Sequence, residues 1–173
     1  MISKELSATL GFAVREAKKR RHEYVSIEHI LFAILYDPTG IDVIENCGGN
    51  VENLITSLGD FFEEKIDQIP DGNEYVLQQT IGFQRVIQRA VNHARSAEKA
   101  EVTVIDILVS IFLEKDSHAE YFLNAEGLTR LDVLNFITHN VSRSSEEEPP
   151  AELTRPAKER RKKKANPLEL FTT

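Results

Sequence analysis

The chain has 173 residues, 41% of them hydrophobic and 28% charged, with a formal net charge of −7. This supports one domain with a substantial core plus an appendage. Because no apolar run approaches the roughly 20 residues that cross a bilayer, and the first residues lack an apolar signal region, we expect a cytoplasmic protein without membrane contact. The single cysteine excludes an internal disulfide framework, and the negative charge argues against nucleic acid as the main partner.

The first half of the chain has the apolar spacing of helices. One face of the first helix carries Leu6, Leu10, Ala13, Val14 and Ala17. A second stripe comprises Ile27, Ile30, Leu31, Ile34 and Leu35. Ser26 is a suitable N-cap for that helix, with Glu28 in its first turn, and Pro38 follows its end. Asn50 can open a later helix that carries Phe62, and turn-forming residues 70–73 follow.

The second half of the chain repeats the first when Ala13 is aligned with Ala90 and no gaps are introduced. We call this the repeat alignment. Seven of the 23 positions from 13 to 35 are identical in this alignment. Thr103, the counterpart of Ser26, stands three positions before Asp106 in a pattern typical of a capping box. With a slippage of two positions, Thr129 corresponds to Asn50. We therefore predict an all-α, eight-helix double four-helix repeat with pseudo-two-fold symmetry, in which repeat 1 covers about 1–65 and repeat 2 about 80–141.

The tail differs in composition from the body. From residue 142 onward, eight Lys and Arg stand against six Asp and Glu, a net charge of +2, which leaves −9 on residues 1–141. Few apolar residues occur before Leu168, so we expect residues 142–173 to form a flexible charged linker. The basic run at 160–164 has no interleaved aromatic residues, and we interpret it as solvated linker rather than a nucleic-acid site.

Residues 21–31, with the core Glu28-His29-Ile30-Leu31, resemble the entry to the second helix in the Clp repeat domain of Clp unfoldases. Residues 80–90 and 130–137 are similar to the ClpA-type members in particular. The closing Phe171-Thr172-Thr173 resembles the point at which such chains enter the first ATPase module. The resemblance covers residues 1 to about 141.

The resemblance implies a function in protein degradation. ClpA-type proteins are AAA+ unfoldases that feed substrates to the ClpP peptidase, and their amino-terminal domain docks protein substrates and the adaptor ClpS. No Gly-x-x-x-x-Gly-Lys-Ser/Thr motif occurs here, so this chain is expected to be no enzyme and to hold no cofactor. ATP and Mg²⁺ would bind only in ATPase modules absent from this chain, and ClpP would be reached only through them.

The resemblance also implies a docking site. Glu23, Glu28 and Thr80 match the adaptor face of the family, and Tyr24 stands where an aromatic residue is common. Ile81, together with Phe83, is a candidate for an apolar side chain left exposed near the repeat junction. These residues surround two helix starts, which would be adjacent if the repeats pack together.

Two alternatives remain open from the residues alone. One is a stand-alone protein-binding chaperone. The other is a small metal-dependent hydrolase that uses His22, Glu23, Glu28 and His29, which are ligand types suited to zinc. Their spacing differs from His-Glu-x-x-His, which favours structural or docking roles, with His29 hydrogen-bonded near the repeat junction. Cys47 is interpreted as a small buried apolar residue rather than a nucleophile.

Overall fold

The computed structural model describes residues 1–145, and their side chains as far as His139. Within this part of the chain there are eight α-helices: α1 Lys4–Lys19, α2 Ile27–Ile34, α3 Pro38–Asn46, α4 Val51–Lys65, α5 Ile81–Ser96, α6 Val104–Ile111, α7 His118–Ala125 and α8 Arg130–Ser145. Two strands of two residues each, β1 Tyr24–Val25 and β2 Gln78–Gln79, were not expected from the sequence. The predicted all-α double repeat is confirmed.

The helix starts predicted from capping residues agree with the structure. Asn50 accepts a hydrogen bond from the backbone N–H of Asn53, and Thr103 forms a capping box with Asp106. Ser26 is the N-cap of α2, but the residue three positions on is His29, whose Nδ1 accepts from the Ser26 N–H at 3.0 Å. An imidazole therefore takes in repeat 1 the capping role that a carboxylate has in repeat 2.

Two parallel backbone pairings express the pseudo-two-fold symmetry. β1 pairs with β2 in the register Val25 to Gln79, and Ile2 pairs with Val102. The repeat alignment converts one pairing into the other, because it matches Ile2 with Gln79 and Val25 with Val102. Each repeat thus bonds the segment before its second helix to the segment before the first helix of the other repeat.

Helices α2 and α6, the second helices of the two repeats, pack against each other within the unit Met1–Phe136. All eight residues of α2 are buried, and α6 also packs against α1, α3 and α5. Both repeats fall largely within one compact unit, Met1–Phe136. A four-helix unit of about 65 residues would have a thin core alone, and the shared α2–α6 contact explains how two of them bury enough apolar surface.

An ion cluster fixes α5 against the end of α6. Glu114 is buried, and its two carboxylate oxygens accept from Arg85 at 2.6 Å and from Arg89 at 2.7 Å. Hydrogen bonds from Arg85 are the main cause that holds the pKa of Glu114 below its usual value, with Arg89 adding to the effect. Because both arginines lie on α5, the cluster orients the helix whose first residue is Ile81.

α8 continues to Ser145, past the domain boundary expected at 141. The rest of the predicted linker, residues 146–173, lies outside the described residues. No helix within residues 1–145 is long and apolar enough to cross a bilayer.

Candidate protein-docking site

The β1–β2 pairing brings two helix starts together. The N–H of Gln78 donates to the Glu23 carbonyl at 3.0 Å, and the N–H of Thr80 donates to the Val25 carbonyl at 3.1 Å. The starts of α2 and α5 therefore lie side by side, as expected from packing of the repeats. Gly82 permits this approach, because a Cβ at that position would stand 2.8 Å from the Cδ1 of Ile27.

Four of the five predicted site residues lie at the surface of this junction. Glu23 is exposed, Tyr24 is 44% exposed and Ile81 is 75% exposed. Thr80 is half-buried, and its hydroxyl accepts a hydrogen bond from the Phe83 N–H at 3.0 Å, so it caps α5. We call the surface formed by Glu23, Tyr24, Thr80 and Ile81 the junction face. It combines one carboxylate with two large apolar side chains.

Glu28 does not belong to the junction face, which corrects the expectation from the sequence. Its side chain is buried, and its Oε2 accepts from the backbone N–H of Ala119 at 2.9 Å. Ala119 lies in the first turn of α7, where the helix dipole stabilises a negative charge. The carboxylate also accepts from a backbone N–H that has no partner within the helix. Phe83 is buried as well, so it is no candidate for an exposed contact.

Arg21 organises the loop between α4 and β2, a role that the sequence analysis missed. Its guanidinium donates to the carbonyls of Ile69 and Pro70, both at 2.9 Å, and to the carbonyl of Asn73. It also lies 5.3 Å from the Tyr75 ring centroid. The Arg21 backbone has a φ of 56°, a left-handed conformation that is uncommon outside glycine. The turn-forming residues of the loop were visible in the sequence, but their anchor in the segment after α1 was not.

His22 and His29 form a hydrogen-bonded pair in the core. Because His29 Nδ1 accepts from Ser26, its proton lies on Nε2, which is 2.9 Å from His22 Nδ1. The His22 proton then lies on its own Nε2, which is buried without a hydrogen-bond partner among the described residues. His29 also stacks on Phe62, with ring centroids 4.6 Å apart.

Burial keeps both imidazoles neutral. It lowers the pKa of His29 to about 3, with smaller effects of His22 and Arg20, and it also lowers the pKa of His22. Both side chains are enclosed, so neither can reach a substrate. Among the described residues no group of three or more His, Cys, Asp and Glu could hold a metal ion. The geometry of the pair therefore gives the hydrolase alternative no support.

Cys47 is half-buried at the end of α3. Its Sγ lies 3.5 Å from the Asp132 carbonyl oxygen, to which the thiol donates. Burial raises the pKa of the thiol to about 11, and the Asp132 carboxylate adds to the effect. A thiol with this pKa is almost wholly protonated near neutral pH, so it is a poor nucleophile.

The comparisons with known proteins identify the family. Residues 1–126 match the family model of the Clp repeat (R) N-terminal domain. The chain belongs to this family. The chain is 38% identical over 144 residues to a ClpA homolog protein of Fuscovulum blasticum, and the alignment covers 82% of this chain and 18% of that protein. The chain thus spans about a fifth of this relative's length.

Solved structures share the fold at low sequence identity. The N-domain of ClpV from Vibrio cholerae has a TM-score of 0.66 and 18% identity, and the match covers 82% of this chain and 85% of that chain. The N-terminal domain of Hsp104 from Candida albicans has a TM-score of 0.65 and 12% identity, covering 76% and 85%. A Clp repeat domain is a non-catalytic part of Clp-type ATPases.

The pairing of Ile2 with Val102 forms a second junction, between the starts of α1 and α6, and the side chains at its surface differ from those of the junction face. The repeat alignment places Lys4 where the junction face has Ile81, and Glu101 where it has Tyr24. Glu101 is exposed, and so is Lys4. The two junctions therefore share a backbone arrangement but not the pair of apolar side chains.

Proposed function

We propose that this Clp repeat domain is a docking module that binds an adaptor of the ClpS type and protein substrates and delivers them to a ClpA-like ATPase for unfolding and degradation in the cytoplasm. In this proposal ATP and Mg²⁺ bind only in the ATPase modules, and ClpP is reached only through them. In the ClpA homolog protein of Fuscovulum blasticum the aligned region makes up 18% of the length. This supports a domain of a longer protein rather than a stand-alone chaperone.

The junction face is the observation that carries the proposal. Ile81 and Tyr24 are large apolar side chains exposed on two segments whose backbones are hydrogen-bonded to each other. Apolar residues held on a rigid frame lose little conformational entropy on binding, and burying one such side chain is worth about 1.5–3 kcal/mol. Glu23 beside them can meet a Lys or Arg of the partner.

The test is a titration of a ClpS-type adaptor against the wild-type chain, Glu23→Lys and Ile81→Asp. Glu23→Lys should weaken binding about three- to tenfold, since an exposed ion pair is worth about 1 kcal/mol and the reversed charge repels. Ile81→Asp should weaken it at least tenfold because the apolar contact is lost. The helix dipole stabilises an aspartate in the first turn, so α5 should still form in the Ile81→Asp variant.

Two variants elsewhere on the surface serve as matched controls. Glu101→Lys makes the same charge reversal at the second junction, and Leu131→Asp replaces a 64% exposed apolar residue in the first turn of α8. Both should bind the adaptor as the wild type does. Unchanged affinity of Glu23→Lys and Ile81→Asp, with native helicity by circular dichroism, would remove the junction face from the binding site.

A further inference from the structure

The strand β2 is hydrogen-bonded on one side only. Gln78 and Thr80 direct their N–H groups to β1. Because backbone groups alternate along a strand, the N–H and C=O of Gln79 point away from β1, as do those of Leu77 in the extended chain before it. Neither residue makes a backbone hydrogen bond on that side among the described residues, and Gln79 is exposed. We call this free side of residues 77–79 the outer edge.

We propose that the outer edge binds an extended segment of a protein partner rich in Lys and Arg, which adds a third strand beside β2. This inference rests on the proposed docking function, since the outer edge leads directly into Thr80 and Ile81 of the junction face. An unpaired strand edge is a template for backbone pairing, in which main-chain hydrogen bonds give affinity and side chains give specificity.

The outer edge is held in place before a partner arrives. In the loop between α4 and β2, three backbone carbonyls accept hydrogen bonds from the Arg21 guanidinium. The Arg21 carbonyl in turn accepts from the Ile69 N–H at 2.8 Å. At its other end the segment is fixed by the pairing of β2 with β1. A segment ordered at both ends loses less entropy on binding than a free loop.

The charge around the outer edge selects a basic partner. No Lys or Arg occurs from residue 66 to residue 84, whereas Asp67 and Glu74 are exposed in that range and make no ion pair among the described residues. Asp71 is exposed too, but its Oδ1 lies 3.5 Å from the Nε of Arg21, which partly neutralises it. Glu23 adds a further exposed carboxylate beside β1. Val76, which is 79% exposed, gives an apolar contact next to the edge. An extended segment that alternates Lys with an apolar residue complements both features.

The probe is a short fluorescein-labelled peptide of alternating Lys and Val, titrated with the full chain by fluorescence anisotropy. Gln79→Pro removes the outward N–H and leaves both β1–β2 hydrogen bonds, and proline is tolerated on a free edge. Gln79→Ala removes only the side chain. We expect Gln79→Pro to weaken peptide binding three- to tenfold, the range that one net hydrogen bond supports, and Gln79→Ala to change it less than twofold.

Two further peptides test the wild-type chain, so the conclusion does not depend on the folding of a variant. A peptide N-methylated at alternate residues on its pairing edge, and a peptide with Glu in place of Lys, should each bind at least fivefold more weakly. Equal binding of the three peptides, or of Gln79→Pro and Gln79→Ala, would overturn the proposal. So would a dimer of the chain that Gln79→Pro abolishes, because the edge would then pair with a second copy.

These outcomes are separable from those of the adaptor titration. An adaptor that binds through Glu23 and Ile81 but is indifferent to Gln79→Pro would overturn only the edge proposal. An adaptor whose affinity ignores Glu23→Lys and Ile81→Asp would overturn the proposed function, whatever the peptides do.

Discussion

Replacing Glu28 should destabilise the fold rather than act on a partner directly. The buried carboxylate joins α2 to α7 through its 2.9 Å hydrogen bond with the Ala119 N–H. A hydrogen bond to a charged group is worth about 1.5–3 kcal/mol, and Ala119 is fully buried, so no water can replace the acceptor. Glu28→Ala should therefore lower the free energy of unfolding by about 2–3 kcal/mol, or about 4–12 °C in Tm at 2–4 °C per kcal/mol.

A less drastic variant separates the charge from the hydrogen bond. Glu28→Gln keeps an amide oxygen that can accept from Ala119 and loses only the interaction of the negative charge with the start of α7, about 0.3–1 kcal/mol at exposed sites and up to about 2 when partly buried. We expect its loss of stability to lie between those of the wild type and Glu28→Ala.

The assay is urea unfolding followed by circular dichroism, with Glu23→Ala as control. Glu23 is exposed, so its replacement should change stability by less than about 0.5 kcal/mol. Unfolding of Glu28→Ala at the wild-type urea concentration would show that this hydrogen bond does not stabilise the fold. A Glu28→Gln variant less stable than Glu28→Ala would show the same.

Two other perturbations follow from buried ionisable groups. Because the pKa of folded His29 is about 3, its neutral form contributes stability that is complete above the unfolded-state pKa of about 6.5 and is lost progressively as the pH falls from there towards 3. The variant His29→Gln can still accept the hydrogen bond from the Ser26 N–H but does not titrate. In urea unfolding between pH 7 and pH 5, the wild type should therefore lose more stability than His29→Gln, by up to about 1.4 kcal/mol per pH unit. Parallel pH profiles of the two proteins would contradict this. Glu114→Ala should lower the free energy of unfolding by about 2 kcal/mol at pH 7, because two arginines lose a charged acceptor. Since the pKa of Glu114 is lowered in the folded state, its contribution to stability is present above a pH of about 4.5 and disappears as the pH falls through the lowered pKa. A urea midpoint that Glu114→Ala leaves unmoved at pH 7 would exclude a stabilising role for the cluster.

The features that the sequence predicted well are those encoded locally. Thr103 and Asp106 are close neighbours in the chain, so their capping box could be recognised without knowledge of the fold. The internal repeat predicted the architecture for a similar reason, since a single alignment of the two halves matches apolar and capping positions together. The contact between the starts of α2 and α5 then followed from repeat packing.

The features that the sequence could not predict depend on distant partners. β1 and β2 are far apart in the chain, and each is too short to leave an alternating pattern. Glu28 was predicted to belong to the docking site because it matches the adaptor face of the family and lies in the first turn of α2. That helix is buried all round, and a carboxylate is tolerated there only because α7 directs an unpaired N–H at it. Nothing in the sequence near residue 28 encodes that N–H, which comes from residue 119.

The difference between the two junctions sets the valency of the domain. A duplicated fold with two identical halves would present the same surface twice, and a partner could bind it in two equivalent ways. Here Lys4 and Glu101 stand in place of the apolar residues of the junction face, so residues 1–139 combine a symmetric framework with a single copy of that surface. A partner that recognises Tyr24 and Ile81 together therefore binds with a stoichiometry of one per chain and in one orientation.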